Sequence, residues 1–361
     1  IGWCRQLFDF PDASSGLLVS GTSMATLVAL AVARHLATRG QVMEQGPGEM
    51  PARLVGYTSA EAHASVAKAF ELLGLGNRQL RSIAVDDAFR IDLAALEAAI
   101  AADRAAGLEP FCVIGTAGTV NTGAIDDLEG LADLCAREQL WLHVDGAFGA
   151  LAVLSPHLKP RLAGIERADS LAFDFHKWLH VPYAAGCVLV RDGKLHREAF
   201  THRAAYLASN NAGLAGGEPW FCDFGPELSR GFRALKVWAT IKTYGTERLG
   251  ASVFENCRLA QYLAATIGGL AEFEVLAPVS LAICCFRYVA PGLDEAALDR
   301  LNMSIVTALQ DGGIAAPSST KIRGRLAIRV NITNHRTGPA DIDRLVEALL
   351  TAGREKFSAL A

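Results

Sequence analysis

The chain has eight cysteines but no Cys-x-x-Cys pair among them, so the common zinc frameworks are excluded and no metal is expected. The thiols at positions 4, 112, 135, 187, 222, 257, 284 and 285 are scattered through apolar segments. They read as reduced, mostly buried groups of a cytoplasmic protein, not as a disulfide scaffold. There is also no block of Lys or Arg, and the formal net charge is -4. The basic surface that nucleic acid or an anionic membrane selects is therefore missing, and a small molecule is the expected partner. The apolar run from Gly16 to Ala37 is interrupted by Ser20, Thr22, Ser23, Thr26, Arg34 and His35 before it can span a bilayer. No basic start precedes an apolar core, so a secretory signal is not expected. The chain opens at Ile1, inside what reads as an ordered segment (Ile1-Gly2-Trp3-Cys4), which suggests a fragment. Internal repeats and low-complexity tracts are absent.

What is present is a hydrophobic content of 51% over 361 residues, enough for one large core and a smaller second one. Through the first two thirds, short β-branched runs alternate with helical patterns, which predicts a mostly parallel sheet with helices on both faces. The expected strands are 17–19, 54–57, 82–85, 111–115, 141–144, 170–173 and 186–190. The expected helices are 22–37, 59–73, 92–106 and 128–138, the third opening on Asp92 as an N-cap. From about Lys236 the pattern becomes α+β: helices to Tyr244 and over 247–267, strands 281–288 and 326–332, and helices 294–311 and 339–352. The boundary predicts a large domain over 1–235 and a small one over 236–361. The one long candidate loop runs from His202 to Pro226.

Two strand ends carry chemistry. Lys177, in Phe175-His176-Lys177-Trp178, follows Leu142-His143-Val144-Asp145 by thirty-two residues. A lysine amine can hold the aldehyde of pyridoxal 5'-phosphate covalently, and an aspartate facing the ring nitrogen favours its protonated, electron-withdrawing form. The apolar residues Phe173, Phe175, Trp178 and Leu179 predict burial for Lys177, which would lower its pKa. Ser20-Gly21-Thr22-Ser23-Met24-Ala25-Thr26 stands between a strand and a helix, where free N–H groups and hydroxyls can cradle a phosphate, with Gly21, Thr22 and Ser23 as the candidates. By itself the motif also reads as an ordinary N-cap. Its letters resemble the nucleophile motif of subtilisin-like proteases too, but the proline that follows there is replaced, and no companion acid or base motif is found.

Taken in order, these motifs resemble the group II decarboxylases dependent on pyridoxal phosphate, the family of aromatic-L-amino-acid, glutamate and cysteine-sulfinate decarboxylases. The likeness runs from about Leu17 to the C-terminus. It implies the fold type I architecture of pyridoxal phosphate-dependent transferases: a mostly parallel seven-stranded sheet with helices on both faces, plus a smaller α+β C-terminal domain. It implies that His63, in Ser59-Ala60-Glu61-Ala62-His63, stacks on one face of the cofactor ring and that the small Ala147 lies against the other. Thr116 is implied to stand near the cofactor, and Asp174 and His176 near its phosphate, with Asp174 acting indirectly because a second negative charge would repel it. Tyr206 falls where the family carries a mobile-loop tyrosine, reached from the neighbouring subunit, that protonates the substrate carbon. Arg329 is a candidate partner for the α-carboxylate. Gly231 replaces a frequent arginine in the segment from Leu228 to Trp238.

The implied activity is decarboxylation of an L-amino acid, with an aromatic one fitting best, to an amine and CO2 in a homodimer with shared active sites. An aldehyde-forming synthase, an aminotransferase and a cofactor-binding remnant without activity are the alternatives. The remnant is motivated by the N-terminal helical segment that family members carry ahead of the phosphate loop. Little of it stands before Gly21 here, so either the sequence is incomplete or part of the usual pocket is lacking.

Overall fold

The structure is a computed structural model and describes residues 1–49, 53–201, 217 and 219–359. Seven strands form the larger sheet: β1 Ser15–Val19, β2 Leu54–Ser59, β3 Leu80–Ile83, β4 Glu109–Thr116, β5 Trp141–Asp145, β6 Ser170–Asp174 and β7 Gly186–Val190. Their order is β1-β7-β6-β5-β4-β2-β3, and β7 alone runs against its neighbours. Every residue of β2, β5, β6 and β7 is buried, as strands covered on both faces must be. On one face Val28, Leu30, Phe70 and Val188 pack beneath the helices Thr22–Ala37 and Ser65–Leu72. On the other, Leu96, Leu131, Leu142 and Phe173 pack with the helices Leu93–Ala105 and Leu128–Glu138 and with Leu249 and Val253 of the helix Arg233–Gly268. Asp92 caps its helix by accepting from the N–H groups of Ala94 and Ala95, and Asp127 caps the next through Gly130. Each such cap stabilises its helix by about 1 kcal/mol.

Four antiparallel strands make the smaller sheet: β8 Phe273–Val275, β9 Ile283–Tyr288, β10 Ser318–Ile322 and β11 Arg325–Asn331, in the order β10-β11-β9-β8. Alternation along β9 divides its residues between two cores. Cys284, Phe286 and Tyr288 face the helices Glu295–Asp311 and Pro339–Ser358, whereas Ile283 and Cys285 pack with Phe89 and Ala124 from loops of the larger sheet. That second contact brings the small sheet against the loop after β4. Among the described residues no helix is long and apolar enough to cross a membrane.

The larger sheet contains the expected strands with small boundary shifts, but the local reading differs from the structure in some places. The helix expected from Ser59 begins at Ser65, because Thr58 and Ser59 extend β2 to pair with Ser82 and Ile83, leaving 60–64 as a turn. The helices expected to Tyr244 and from Glu247 are both present: the stretch Arg233–Gly268 is broken at Gly245, whose φ of 75° and ψ of 159° are not helical, so the two meet at a sharp kink. β8 and β10 were not anticipated: β8 has three residues, and β10 is a half-exposed Ser-Ser-Thr-Lys run without apolar alternation. A short helix, Gly2–Leu7, also precedes β1.

The long helix presses against the turn at Ala150–Leu154, where a side chain on Gly250 would overlap the carbonyl oxygen of Leu154. Gly250→Ala is expected to destabilise the protein by about 1–3 kcal/mol through overpacking, despite the better helix propensity of alanine. Urea denaturation measures this, and an unchanged or raised midpoint would show that the helix and turn can separate freely.

Candidate active site

β1, β2, β4, β5 and β6 all point the same way, so the turns at their C-terminal ends share one edge of the sheet, where open α/β sheets place their ligands. Those turns carry Gly21-Thr22-Ser23, His63, Thr116, Asp145 with Ala147, and Asp174 to Lys177. In register, Thr116 lies opposite Asp145, and Asp145 opposite Ala172. Residues more than a hundred positions apart therefore meet because the strand order places their ends side by side.

Asp174 is the junction of this edge. It is 3% exposed. Its Oδ1 accepts from the Thr22 N–H at 2.8 Å, while Oδ2 stands 3.2 Å from Lys177 Nζ and 3.6 Å from His176 Nε2. His176 Nδ1 accepts from the Ala185 N–H at 3.0 Å, so the ring proton belongs on Nε2, on the side of Asp174. Asp174 thus engages the cradle by taking one of its N–H groups, which is an indirect role. The expected burial of Lys177 is corrected: Phe173, Phe175, Trp178 and Leu179 are buried, but the lysine side chain is 40% exposed and points its amine at Asp174. Its apolar neighbours anchor the turn and leave the amine open to a ligand.

The cradle fits a phosphate group on two observations. Thr22 Oγ1 is buried and has no hydrogen-bond partner among the described residues, a cost that an acceptor ligand would remove. Close backbone approach also shapes the cavity: a Cβ on Gly186 would lie 2.6 Å from Gly21 Cα and 2.7 Å from Asp174 Oδ1. Ser23, second in its helix, presents an N–H with no acceptor within the helix. Among the described residues, the hydroxyls bonded to histidine are those of Ser15, Ser65, Ser170 and Thr26, so Ser23 has no such base and the protease resemblance stops at its letters.

Asp145 is buried, and burial pushes its carboxyl above the ordinary range. The charge of Asp174 adds to the rise, while the Ala147 N–H, which donates to Oδ1 at 3.1 Å, and the charges of Lys177 and His63 act the other way. A protonated ring nitrogen would complete the same set. The Nδ1 of His63 accepts from the Ser65 N–H at 3.1 Å and lies 2.8 Å from the Ser65 hydroxyl, leaving Nε2 to carry the proton on an exposed ring. Thr116 is buried, and its N–H donates to Asp126 Oδ2 at 2.7 Å.

Two further expected residues remain. Tyr206 lies outside the described residues. Arg329, on β11, donates through Nε to the carbonyls of Val120 and Asn121 at 2.9 and 3.2 Å and through Nη1 to Ser318 Oγ at 3.2 Å, so its Nε–H holds the loop after β4 and Nη1 holds β10. Sequence reasoning missed Asp126, which accepts from Thr116 and Ile91 at 2.7 Å each, and also Asn121 and Gly186. The Asp126-Asp127 doublet read only as a helix start, and nothing local marks the other two.

The sequence profile described as the pyridoxal-dependent decarboxylase conserved domain matches residues 1–289. Over 338 residues the chain is 39% identical to an aromatic-L-amino-acid decarboxylase of Bacillus atrophaeus, covering 93% of this chain and 68% of that protein. Over 357 residues it is 37% identical to a histidine decarboxylase of Drosophila melanogaster, covering 95% and 40% of the two chains. The structure superposes on that of Oryza sativa TDC with PLP and tryptamine with a TM-score of 0.91 and 28% identity, covering 98% of this chain and 74% of that one.

Asp126 is buried, and desolvation pushes its carboxyl up to about 6 from an ordinary value of 3.8, against the pull of its two N–H donors. A carboxyl whose folded pKa is raised binds its proton more tightly in the native state. Its contribution therefore falls as pH rises from about 4 to about 6, by on the order of 3 kcal/mol, and is constant above that window. Asp126→Asn should flatten this fall while costing about 1–3 kcal/mol, because the amide offers one acceptor where two N–H groups need one each. Urea denaturation of both proteins at several pH values between 4 and 7 measures it. Parallel stability curves would reject the assignment.

Proposed function

Because this chain belongs to the pyridoxal-dependent decarboxylase family, we propose that it decarboxylates an L-amino acid, of the aromatic class, to the amine and CO2. The observation that carries the reading is the convergence on one edge of the sheet of the turns bearing Lys177, His63 and the buried Asp145, together with a cradle whose Thr22 hydroxyl has no partner among the described residues. Bound pyridoxal phosphate supplies a protonated ring that takes up the electron pair left when CO2 departs.

In this reading Lys177 would hold the cofactor through its open amine. Asp145 holds the proton on the ring nitrogen, where its burial makes the charge pairing strong. Thr22, Ser23 and His176 bind the phosphate, Gly21 lets the backbone come close, and Asp174 orients Thr22 and Lys177. His63 and Ala147 would line the ring, and Thr116 would border it. Arg329 meets the α-carboxylate with what remains of its guanidinium, and Tyr206 returns the proton to the substrate carbon.

The aromatic class is supported by the name of the Bacillus relative, while the fly relative is named for histidine. A homodimer with shared active sites is part of the same reading. Its support is an exposed apolar run of Leu228, Phe232, Leu235, Trp238 and Tyr244, beside a cavity of about 520 Å³ lined by Trp3, Leu7, Ile241 and Leu249. A division into a larger and a smaller domain is supported by the two separate sheets, although the boundary between residues 235 and 236 falls within the helical stretch Arg233–Gly268, whose Leu249 and Val253 pack in the larger core. A cytoplasmic location is supported by the free, mostly buried cysteines.

Borohydride reduction of the protein loaded with pyridoxal phosphate, followed by peptide mapping, is expected to find the pyridoxyl group on Lys177. Lys177→Ala should abolish amine release. An adduct on Lys159 or Lys236 would sink the assignment, and cofactor binding without product from any amino acid would identify a remnant.

Tyr206→Phe keeps the ring and removes the proton donor. Product analysis should then show a shift from amine towards aldehyde, ammonia and peroxide in the presence of oxygen, with cofactor binding largely unchanged. The same amine yield from the variant and the wild type would leave Tyr206 as a loop anchor only. A wild-type product that is already the aldehyde or a keto acid would point to the synthase or the aminotransferase.

A further inference from the structure

Asn121 lies in the loop between β4 and the helix Leu128–Glu138 and joins segments from both sheets. Its Nδ2 donates to Glu61 Oε2 at 2.9 Å, and its Oδ1 accepts from the Thr320 hydroxyl at 2.7 Å. Its backbone carbonyl accepts from Cys285 Sγ and from Arg329 Nε, each at 3.2 Å. Cys285, Thr320 and Arg329 belong to β9, β10 and β11, three of the four strands of the smaller sheet. On the opposite side Glu61 belongs to the turn at 60–64, two residues before His63. No cation is paired with Glu61 among the described residues, so the Asn121 amide is the anchor of its carboxylate.

We propose that Asn121 is a positioning residue that ties the turn carrying His63 to the smaller sheet, so that the seating of that sheet sets where the His63 ring stands. For what His63 does, the proposal rests on the cofactor reading above. For the coupling itself it rests on the hydrogen bonds alone. An asparagine suits the place because it donates to a carboxylate and accepts from a hydroxyl at once, which neither aspartate nor a hydrophobic residue can do. The amide, bonded through both its nitrogen and its oxygen, also leaves little freedom for the turn to drift relative to β10.

The test is a double-mutant cycle read first on cofactor-free protein by hydrogen exchange of the amides at 60–66. Asn121→Asp sets a second carboxylate against Glu61, and protection of the turn should fall about tenfold. Adding Glu61→Gln supplies the amide from the other side, and protection should recover to within about threefold of wild type. On the loaded enzyme, Asn121→Asp should lower kcat about tenfold with a smaller change in KM and weaken the visible circular dichroism of the bound cofactor, and the double variant should restore both. Wild-type exchange in Asn121→Asp overturns the proposal, as does a loss that the double variant fails to recover at an unchanged global midpoint. If Asn121→Asp does not fold, Thr320→Val decides the matter: the turn loses protection if the coupling is real, and unchanged exchange overturns it. A wild-type protein that bound no pyridoxal phosphate would remove the functional reading while the exchange measurements still judged the coupling.

Discussion

A single buried carboxylate, Asp174, holds the candidate site together. Taking a carboxylate out of water is costly unless its oxygens are occupied. Here Oδ1 takes the N–H of Thr22 from the turn after β1, and Oδ2 faces the amine of Lys177 and the ring of His176. The requirement to satisfy one anion thus pulls the end of β1 onto the end of β6. The two strands are not neighbours, since β7 lies between them. Gly186, at the start of β7, makes the approach possible, because a side chain there would strike both Gly21 and Asp174.

A second buried carboxylate performs the corresponding task two strands further along the sheet. Asp126 accepts from Thr116 at the end of β4 and from Ile91 in a different loop, closing the segment after β4 back onto its own strand. The N–H of Ala117 then reaches the Asp145 carbonyl at 2.8 Å, which extends the β4–β5 pairing past the sheet edge. Asp145 therefore projects from a stiff frame. Rigid support of this kind is what an electrostatic role at a ring nitrogen requires, since a carboxylate free to rotate would lose much of its field at the cofactor.

The small sheet completes the arrangement from the other side. Ile283, Cys285 and Ala327 pack with Phe89 and Ala124, so an apolar contact seats the sheet. Asn121 and Arg329 add hydrogen bonds that fix its register against the loop after β4. Apolar packing sets the distance and the polar groups set the alignment, a division that follows from the non-directional character of the one and the directional character of the other.

The sequence by itself determined the larger sheet, most of its helices and the ends where Lys177, Asp145, Gly21 and His63 stand. Those features arise from local causes: continuous apolar runs in strands buried on both faces, helical spacing between them, and aspartates such as Asp92 at helix starts. β8 and β10 escaped notice because a three-residue strand and a half-exposed Ser-Ser-Thr-Lys run carry no apolar period, and pairing with β9 and β11 is what makes them strands. The exposure of Lys177 was misread for a related reason, since apolar neighbours in sequence bury themselves without burying the residue between them. Only the tertiary structure decided that Asp174 would bond Thr22 across 152 positions, that Asp126 would brace Thr116, and that Asn121 would meet Thr320 from a different sheet. Each is a directional hydrogen bond between distant segments, and strand order and packing, not local pattern, bring such partners within reach.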